Sequence, residues 1–504
     1  MSSILESVFR FRWCLIILTL LAISARMQSI TTAMYSFDGY SPDSGNARIL
    51  AEIVLAQGRW GLAALLQLRE RLGYFGMEVI PSSLIASTLL FTGAGFLYAR
   101  VLSPKLSDIE LFIFVALFTL HPFVTEFYTF SDATLDIAIA IFLAAVGFAC
   151  ASATVRPRLG MAVGCLLMVF ALSIYQAPIA HMAVVGLLGV IGWELQLEPA
   201  SAGPPRVRDF LATGQFRALA TVAASAVLYF LSMRLVPRVF DIALDEGAKL
   251  SWPPDLAEKA NALRDAFSKA FLPLRGFITP VASILLAGVL IVAAAAIILT
   301  ILRRRGVGMA LAGVALLAAA ALCPVALPVL RNGIWLVPRV LSPVSIFIAG
   351  VAMLGWRCAR PAWIRHLLLI AMVPLLIAYI GTSNRILYDQ RRVNLWDAQE
   401  ANRILARLQA DPHFDAMRAL ALVNGKWGRS QSLPTALGDM NISALAVSWA
   451  RLGLMTQATG SRFESASEEQ QQAAEKYCAT AEAWPAAASV TITGDLGVVC
   501  LPHQ

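Results

Sequence analysis

The sequence predicts a mainly helical, polytopic membrane protein with a small extramembrane domain at its C-terminus, on three observations. Hydrophobic residues make up 58% and charged residues only 14% of the 504 residues, whereas an ordinary soluble domain carries about 25% charged residues. Apolar runs of about 18 residues or more recur along the chain, the length a helix needs to cross a bilayer. From about Asn384 onward the charge density becomes that of a soluble domain.

Eleven segments are expected to span: 11–31, 79–100, 109–128, 132–152, 159–176, 178–196, 216–236, 277–302, 307–329, 339–357 and 363–382. Residues 1–31 read as a retained signal anchor, because the apolar run is long and no convincing small-x-small cleavage site precedes the polar loop. With the N-terminus inside, the inward loops hold fifteen basic and six acidic side chains. The positive-inside rule therefore accounts for nearly all of the net charge of +8 and removes the need for a nucleic-acid partner. An odd number of spans puts the C-terminus outside. The expected location is a bacterial inner membrane, with the N-terminus cytoplasmic and the C-terminal domain periplasmic.

Two domains follow. Residues 1–383 form the transmembrane unit, with outer loops at 32–78 and 237–276. Residues 384–504 form the outer domain. In the first loop, 47–75 reads as an interfacial helix, because Leu62, Leu65, Leu66 and Leu72 share turns with Arg69, Glu70 and Arg71. A polar helical pattern occupies 254–271. In the C-terminal domain 397–409 is amphipathic, 419–423 and 489–493 look like strands and 467–483 looks helical, which gives a small α/β or α+β unit. Of seven cysteines, five sit in or beside spans. Cys478 and Cys500 lie in the outward domain, where an oxidising compartment favours pairing them. No Cys/His metal spacing appears and no cofactor is expected, with dependence on a divalent metal left open.

The stretch from Tyr35 to Arg48, continuing to Gly58-Arg59-Trp60, is the polar centre of an otherwise hydrocarbon-compatible sequence. It carries two carboxylates, Asp38 and Asp43, and two guanidiniums, Arg48 and Arg59. Either acid serves equally well as an Asx-turn residue beside Gly and Pro or as a general base with a raised pKa near lipid. Glu126, Asp132 and Asp136 fall at or inside the membrane boundary, where ionisable groups point to a functional cavity. The alternative for Asp132 is a helix cap. Arg331 and Arg339 face outward against the charge bias. They are either snorkelling anchors or a phosphate clamp using the bidentate guanidinium fork. Tyr175 and Gln176 form a polar pair that interrupts an apolar hairpin on the same side.

In their order these residues resemble the type II Gtr family, the serotype-converting glucosyltransferases that modify O-antigen. That family is itself similar to the GT-C polytopic glycosyltransferases. The resemblance rests on Asp43 followed by Arg48, on Gly58-Arg59-Trp60, and on the run from Pro122 through Glu126 to Asp132. The turn from Ser173 through Tyr175 and Gln176 and the outer C-terminal domain complete it. Family members often have two adjacent acids in the first loop, whereas Ser44 follows Asp43 here; Asp43 is the expected general base, with Asp38 in reserve and the assignment between them open. The resemblance implies a polyprenyl-phosphate-linked sugar, glucose, as donor, and an acceptor in lipopolysaccharide O-antigen or a related surface glycan.

That chemistry also fits the residues. A sugar hydroxyl needs a base, and a lipid phosphate leaving group needs arginine. No Rossmann glycine motif or P-loop is present. A transporter or flippase of lipid-linked sugars is the rival from another class, and a glycan polymerase or ligase a third reading. Neither an internal repeat nor paired broken helices favours the transporter.

Overall fold

A computed structural model of the protein describes residues 2–40, 47–196, 213–245, 256–271, 278–329, 337–425 and 433–502. Asp43, its neighbour Ser44 and Arg331 lie outside the described residues.

The molecule is a bundle of apolar helices joined to a four-stranded sheet. Among the described residues, eight helices are long and apolar enough to cross a membrane, or nine if one bent pair counts as a span. These eight are Ile80–Leu102, Thr134–Ser152, Pro157–Ile174, Pro178–Gln196, Gly214–Val239, Pro280–Arg305, Val307–Val329 and Ala362–Gln409. The other two segments expected to span contain shorter apolar helices, Arg12–Ser24 and Pro343–Cys358.

Each irregularity has a local setting. Helix Arg12–Ser24 stops two residues before Arg26, which turns inward. The Arg26 guanidinium is buried, donates to the Thr119 carbonyl at 2.5 Å and lies 5.2 Å from the centre of the Tyr128 ring. The bent pair is Asp108–Leu120 and Pro122–Thr129, which meet at 47°. His121 precedes Pro122, a position pushed out of helical conformation; its ψ is 133°, and its Nδ1 accepts the Phe123 amide at 3.2 Å. The helix expected from 339 begins only at Pro343, because residues 338–342 form a turn.

Close packing holds the bundle. Helices Thr134–Ser152 and Pro157–Ile174 meet at Gly147 and Gly164. A Cβ on Gly147 would stand 2.9 Å from the Gly164 carbonyl oxygen, so the backbones approach as only small residues permit. The expected interfacial helix is two helices, Ala47–Ala56 and Trp60–Arg71. They are hinged at Gly58, whose φ of +75° suits glycine.

Ala362–Gln409 joins the two halves of the molecule. At about 1.5 Å per residue its 48 residues extend roughly 72 Å, more than twice the ~30 Å hydrocarbon layer. Leu368, Met372 and Leu375 pack in the bundle, and Ala401, Ile404, Leu405 and Leu408 pack beneath the sheet. The expected domain boundary at 383/384 therefore falls inside one continuous helix, and 397–409 is its last part.

The sheet order is β2-β1-β4-β3, with β1 Ala419–Val423, β2 Glu464–Ser465, β3 Val490–Thr493 and β4 Leu496–Cys500. Pairings β1–β2 and β1–β4 are parallel and β3–β4 is antiparallel. Strand alternation splits β1 between two layers. Leu420 and Leu422 face the long helix and helix Ser448–Thr459, while Ala419, Ala421 and Val423 face helix Glu468–Cys478. A disulfide joins Cys478 to Cys500, with 5.3 Å between Cα atoms.

Candidate active site

One group of ionisable side chains gathers where helices of the bundle meet the C-terminal domain. Arg339 is at their centre. The 47° bend carries Glu126 inward until it is fully buried. Its carboxylate accepts the Arg339 backbone N–H and the Arg339 Nη1, the latter at 3.0 Å. On the other side Arg339 Nη2 binds the carboxylate of Asp439, a residue of the C-terminal domain. The guanidinium carbon lies 4.3 Å from the centre of the Phe130 ring. Both terminal amino groups are thus engaged by acids, so a phosphate bound in this geometry would share Arg339 with Glu126 and Asp439.

Asp38 approaches the same centre from the first loop, in the short turn Phe37–Tyr40. Phe37 anchors this turn edge-on to Phe130 and Trp449, with ring centres at 5.9 and 6.1 Å. Asp38 Oδ1 accepts the Trp449 indole N–H at 3.2 Å. The Asp38 side chain is exposed at the mouth of the centre. The protein around it still desolvates the carboxyl, and with the nearby charge of Asp132 this pushes its pKa up to about 6, against the lowering effect of Trp449 and Arg339. Glu126, Asp136 and Asp439 are all ion-paired; among the described residues, Asp38 is held by the neutral Trp449 donor and forms no ion pair.

Asp132 and Asp136 share one partner, Arg69. Its Nη1 lies 2.6 Å from Asp136 Oδ2 and 3.5 Å from the Asp132 carbonyl oxygen, and its Nε donates to the Tyr74 carbonyl. Asp132 lies just before helix Thr134–Ser152, whose N-cap position is Ala133 and carries no side-chain cap bond.

The remaining residues divide into two groups. Tyr175 packs edge-on to Phe127, with centres at 6.1 Å, and lies within electrostatic reach of Arg339. Gln176 Nε2 donates to the Tyr229 hydroxyl at 2.8 Å, and Trp60 Nε1 donates to Ser232 at 3.0 Å. Both bonds fasten the first loop and the 174–178 turn to helix Gly214–Val239. Arg59 stands half-buried at the start of helix Trp60–Arg71. The Gly58-Arg59-Trp60 and Ser173–Gln176 motifs therefore pack as one joint; a Cβ on Gly61 would strike Ser173 Oγ at 2.1 Å. Arg48 is exposed, with its Nε 3.7 Å from Glu52 Oε1 one turn on.

Three members of the centre were not singled out from sequence: Arg69, Asp439 and Trp449. Arg69 was readable as an arginine on the apolar side of its helix, where burial demands an acid. No group of three or more His, Cys, Asp or Glu side chains is placed to hold a metal among the described residues.

A bundle of apolar helices long enough to cross a membrane, with an ionisable cluster beside a mixed α/β unit, defines a polytopic membrane protein. The chain belongs to the glucosyl transferase GtrII family, whose model matches residues 43–355, more than half of its length. It is accordingly a glucosyltransferase, which decides between sugar transfer and transport. Comparison with curated proteins and with solved structures gave no match. Asp38, Asp439 and Trp449 lie outside the matched segment.

Proposed function

We propose that the protein transfers glucose from a polyprenyl-phosphate donor to a hydroxyl of lipopolysaccharide O-antigen or a related surface glycan, on the periplasmic side of a bacterial inner membrane. Asp38 acts as the general base. The observation that carries this reading is the Asp38 carboxylate: open to the outside, free of any cationic partner in the geometry above, and with its pKa pushed up to about 6. A base of that pKa is ionised at neutral pH and still takes a proton readily. Asp43 is the second candidate, five residues further on and inside the segment matched by the family.

A lipid-borne donor suits a site at a membrane boundary. The leaving phosphate calls for arginine. Because Arg339 is committed to Glu126 and Asp439, that part falls to Arg331, Arg59 and Arg48, with Arg339 and Tyr175 fixing the wall of the site. Arg48 can leave Glu52 at little cost, since exposed pairs contribute about 0.2–1 kcal/mol. The inward bias of basic side chains and the Cys478–Cys500 disulfide, which needs an oxidising compartment, support the outward placement of the C-terminal domain.

Asp38→Asn tests the base. The amide keeps the shape but cannot take the proton, so turnover should fall by about 10²–10⁴-fold with donor binding retained. Wild-type activity should rise with pH through about 6, as the carboxylate ionises, and that limb should vanish in the variant. Full activity in Asp38→Asn and loss in Asp43→Asn would move the base to Asp43.

A further inference from the structure

Next to the centre lies a cleft of 330 Å³ to which no role has been assigned above. Its volume is at the lower end of the roughly 300–1,000 Å³ usual for small-molecule sites. The long helix forms one wall with Arg391 and Asn394, helix Ser448–Thr459 forms the opposite wall with Gln457, and the first loop closes it with Thr32, Tyr35 and Tyr40. Asn394 is fully used: its side chain accepts the Tyr35 amide at 3.0 Å and donates to the Tyr35 carbonyl at 2.9 Å. Those two bonds fix the loop backbone. They set the Tyr35 ring edge-on to Tyr40, with centres at 5.6 Å.

The other polar groups of the cleft are unused. The Arg391 guanidinium, the Gln457 amide and the hydroxyls of Thr32, Tyr35 and Tyr40 have no hydrogen-bond partner among the described residues. Among the described residues, no carboxylate lines the cleft. Two aromatic rings and an apolar floor of Ala398, Leu454 and Ala458, edged by hydroxyl, amide and guanidinium groups, match a sugar, which offers C–H faces to rings and hydroxyl edges to hydrogen-bonding groups. A prenyl chain would use the apolar floor and none of the hydrogen-bonding groups at its edge.

Position links the cleft to the chemistry. Tyr40 ends the turn that carries Asp38, and Gln457 is eight residues beyond Trp449 on the same helix, about 12 Å along its axis. We propose that this cleft is a subsite for the acceptor polysaccharide, holding sugar units beside the one that receives glucose and so selecting the acceptor. The proposal rests on the transfer reading above.

The test uses the full chain in detergent, with the Arg391→Ala/Gln457→Ala double variant, whose changes lie on exposed side chains. The probes are polysaccharide released by mild acid from the lipopolysaccharide of the producing strain, and polyprenyl-phosphate glucose as donor. The double variant should bind the polysaccharide roughly tenfold more weakly, having lost two hydrogen-bonding side chains. It should raise the KM for polysaccharide while leaving transfer to a simple methyl glycoside unchanged. Equal polysaccharide binding by both proteins overturns the subsite and leaves the transfer reading intact, as does a rise in donor KM alone. Weakened polysaccharide binding in a preparation whose wild type transfers no glucose keeps the cleft as a glycan site and removes the transfer reading.

Discussion

Arg339 shows how far one side chain's meaning depends on its partners. From sequence it is an outward arginine; in the fold its charge is divided between Glu126, 213 residues away, and Asp439, 100 residues away. Glu126 is fully buried, so Arg339→Ala would leave two acids facing each other without a cation. Breaking a buried pair in this way costs about 3–5 kcal/mol, and Arg339→Lys should recover part of it. Thermal unfolding in detergent reads the loss; an unchanged midpoint for the alanine variant would mean that the pairing contributes nothing. Glu126, Asp132 and Asp136 stood out in the sequence because an ionisable group within apolar residues is conspicuous. Asp439 and Trp449 did not, because one acid and one indole inside a polar domain look like any others. Long-range pairing is what assigns them to the centre.

At the scale of elements, hydrophobic length made the helices legible, and their breaks were less so. The run 11–31 is uniformly apolar enough to read as one span, yet its helix stops two residues before Arg26, which turns inward to the Thr119 carbonyl and the Tyr128 ring. The bend at His121-Pro122 was marked by its proline, but its consequence, delivery of Glu126 to Arg339, was not. The polar stretch from Asn384 looked like a domain start, whereas the helix continues through it and uses Gln390 and Asn394 to hold the Tyr35 carbonyl. Helix contact at Gly147 makes a sharp prediction. Gly147→Leu drives a side chain into the Gly164 backbone, and overpacking of this kind costs typically about 1–3 kcal/mol. Unfolding temperature and yield of folded protein measure it; a variant as stable as wild type would show that the two helices are not held this close. In the sheet, the Cys478–Cys500 bridge closes a loop of 22 residues. Replacing both cysteines by serine should lower the stability of this domain by roughly 3 kcal/mol, which urea unfolding followed by Trp484 fluorescence will register or fail to register.

For the whole molecule, the sequence pattern led to the membrane class, the helical bundle and the small terminal α/β unit, because composition and apolar length act on every residue at once. The strand order, with β4 inserted between β1 and β3, was not legible, since β4 carries no distinctive pattern and pairs with a strand far earlier in the chain. The proposed outward placement of the C-terminal domain is tested by alkaline phosphatase fused after Gln504, which should be active; an inactive fusion beside an active cytoplasmic reporter would reverse the topology.

The most direct measurement combines membrane class, family and centre in one reaction. Purified wild type and Asp38→Asn are each given polyprenyl-phosphate glucose and the polysaccharide acceptor, and glucose transfer is followed from pH 5 to 8. Wild type should transfer glucose with a rate that rises through about pH 6, and Asp38→Asn should fall by about 10²–10⁴-fold and lose that rise. Absence of transfer by folded wild type, or an Asp38→Asn protein with the wild-type rate and pH profile, would contradict it.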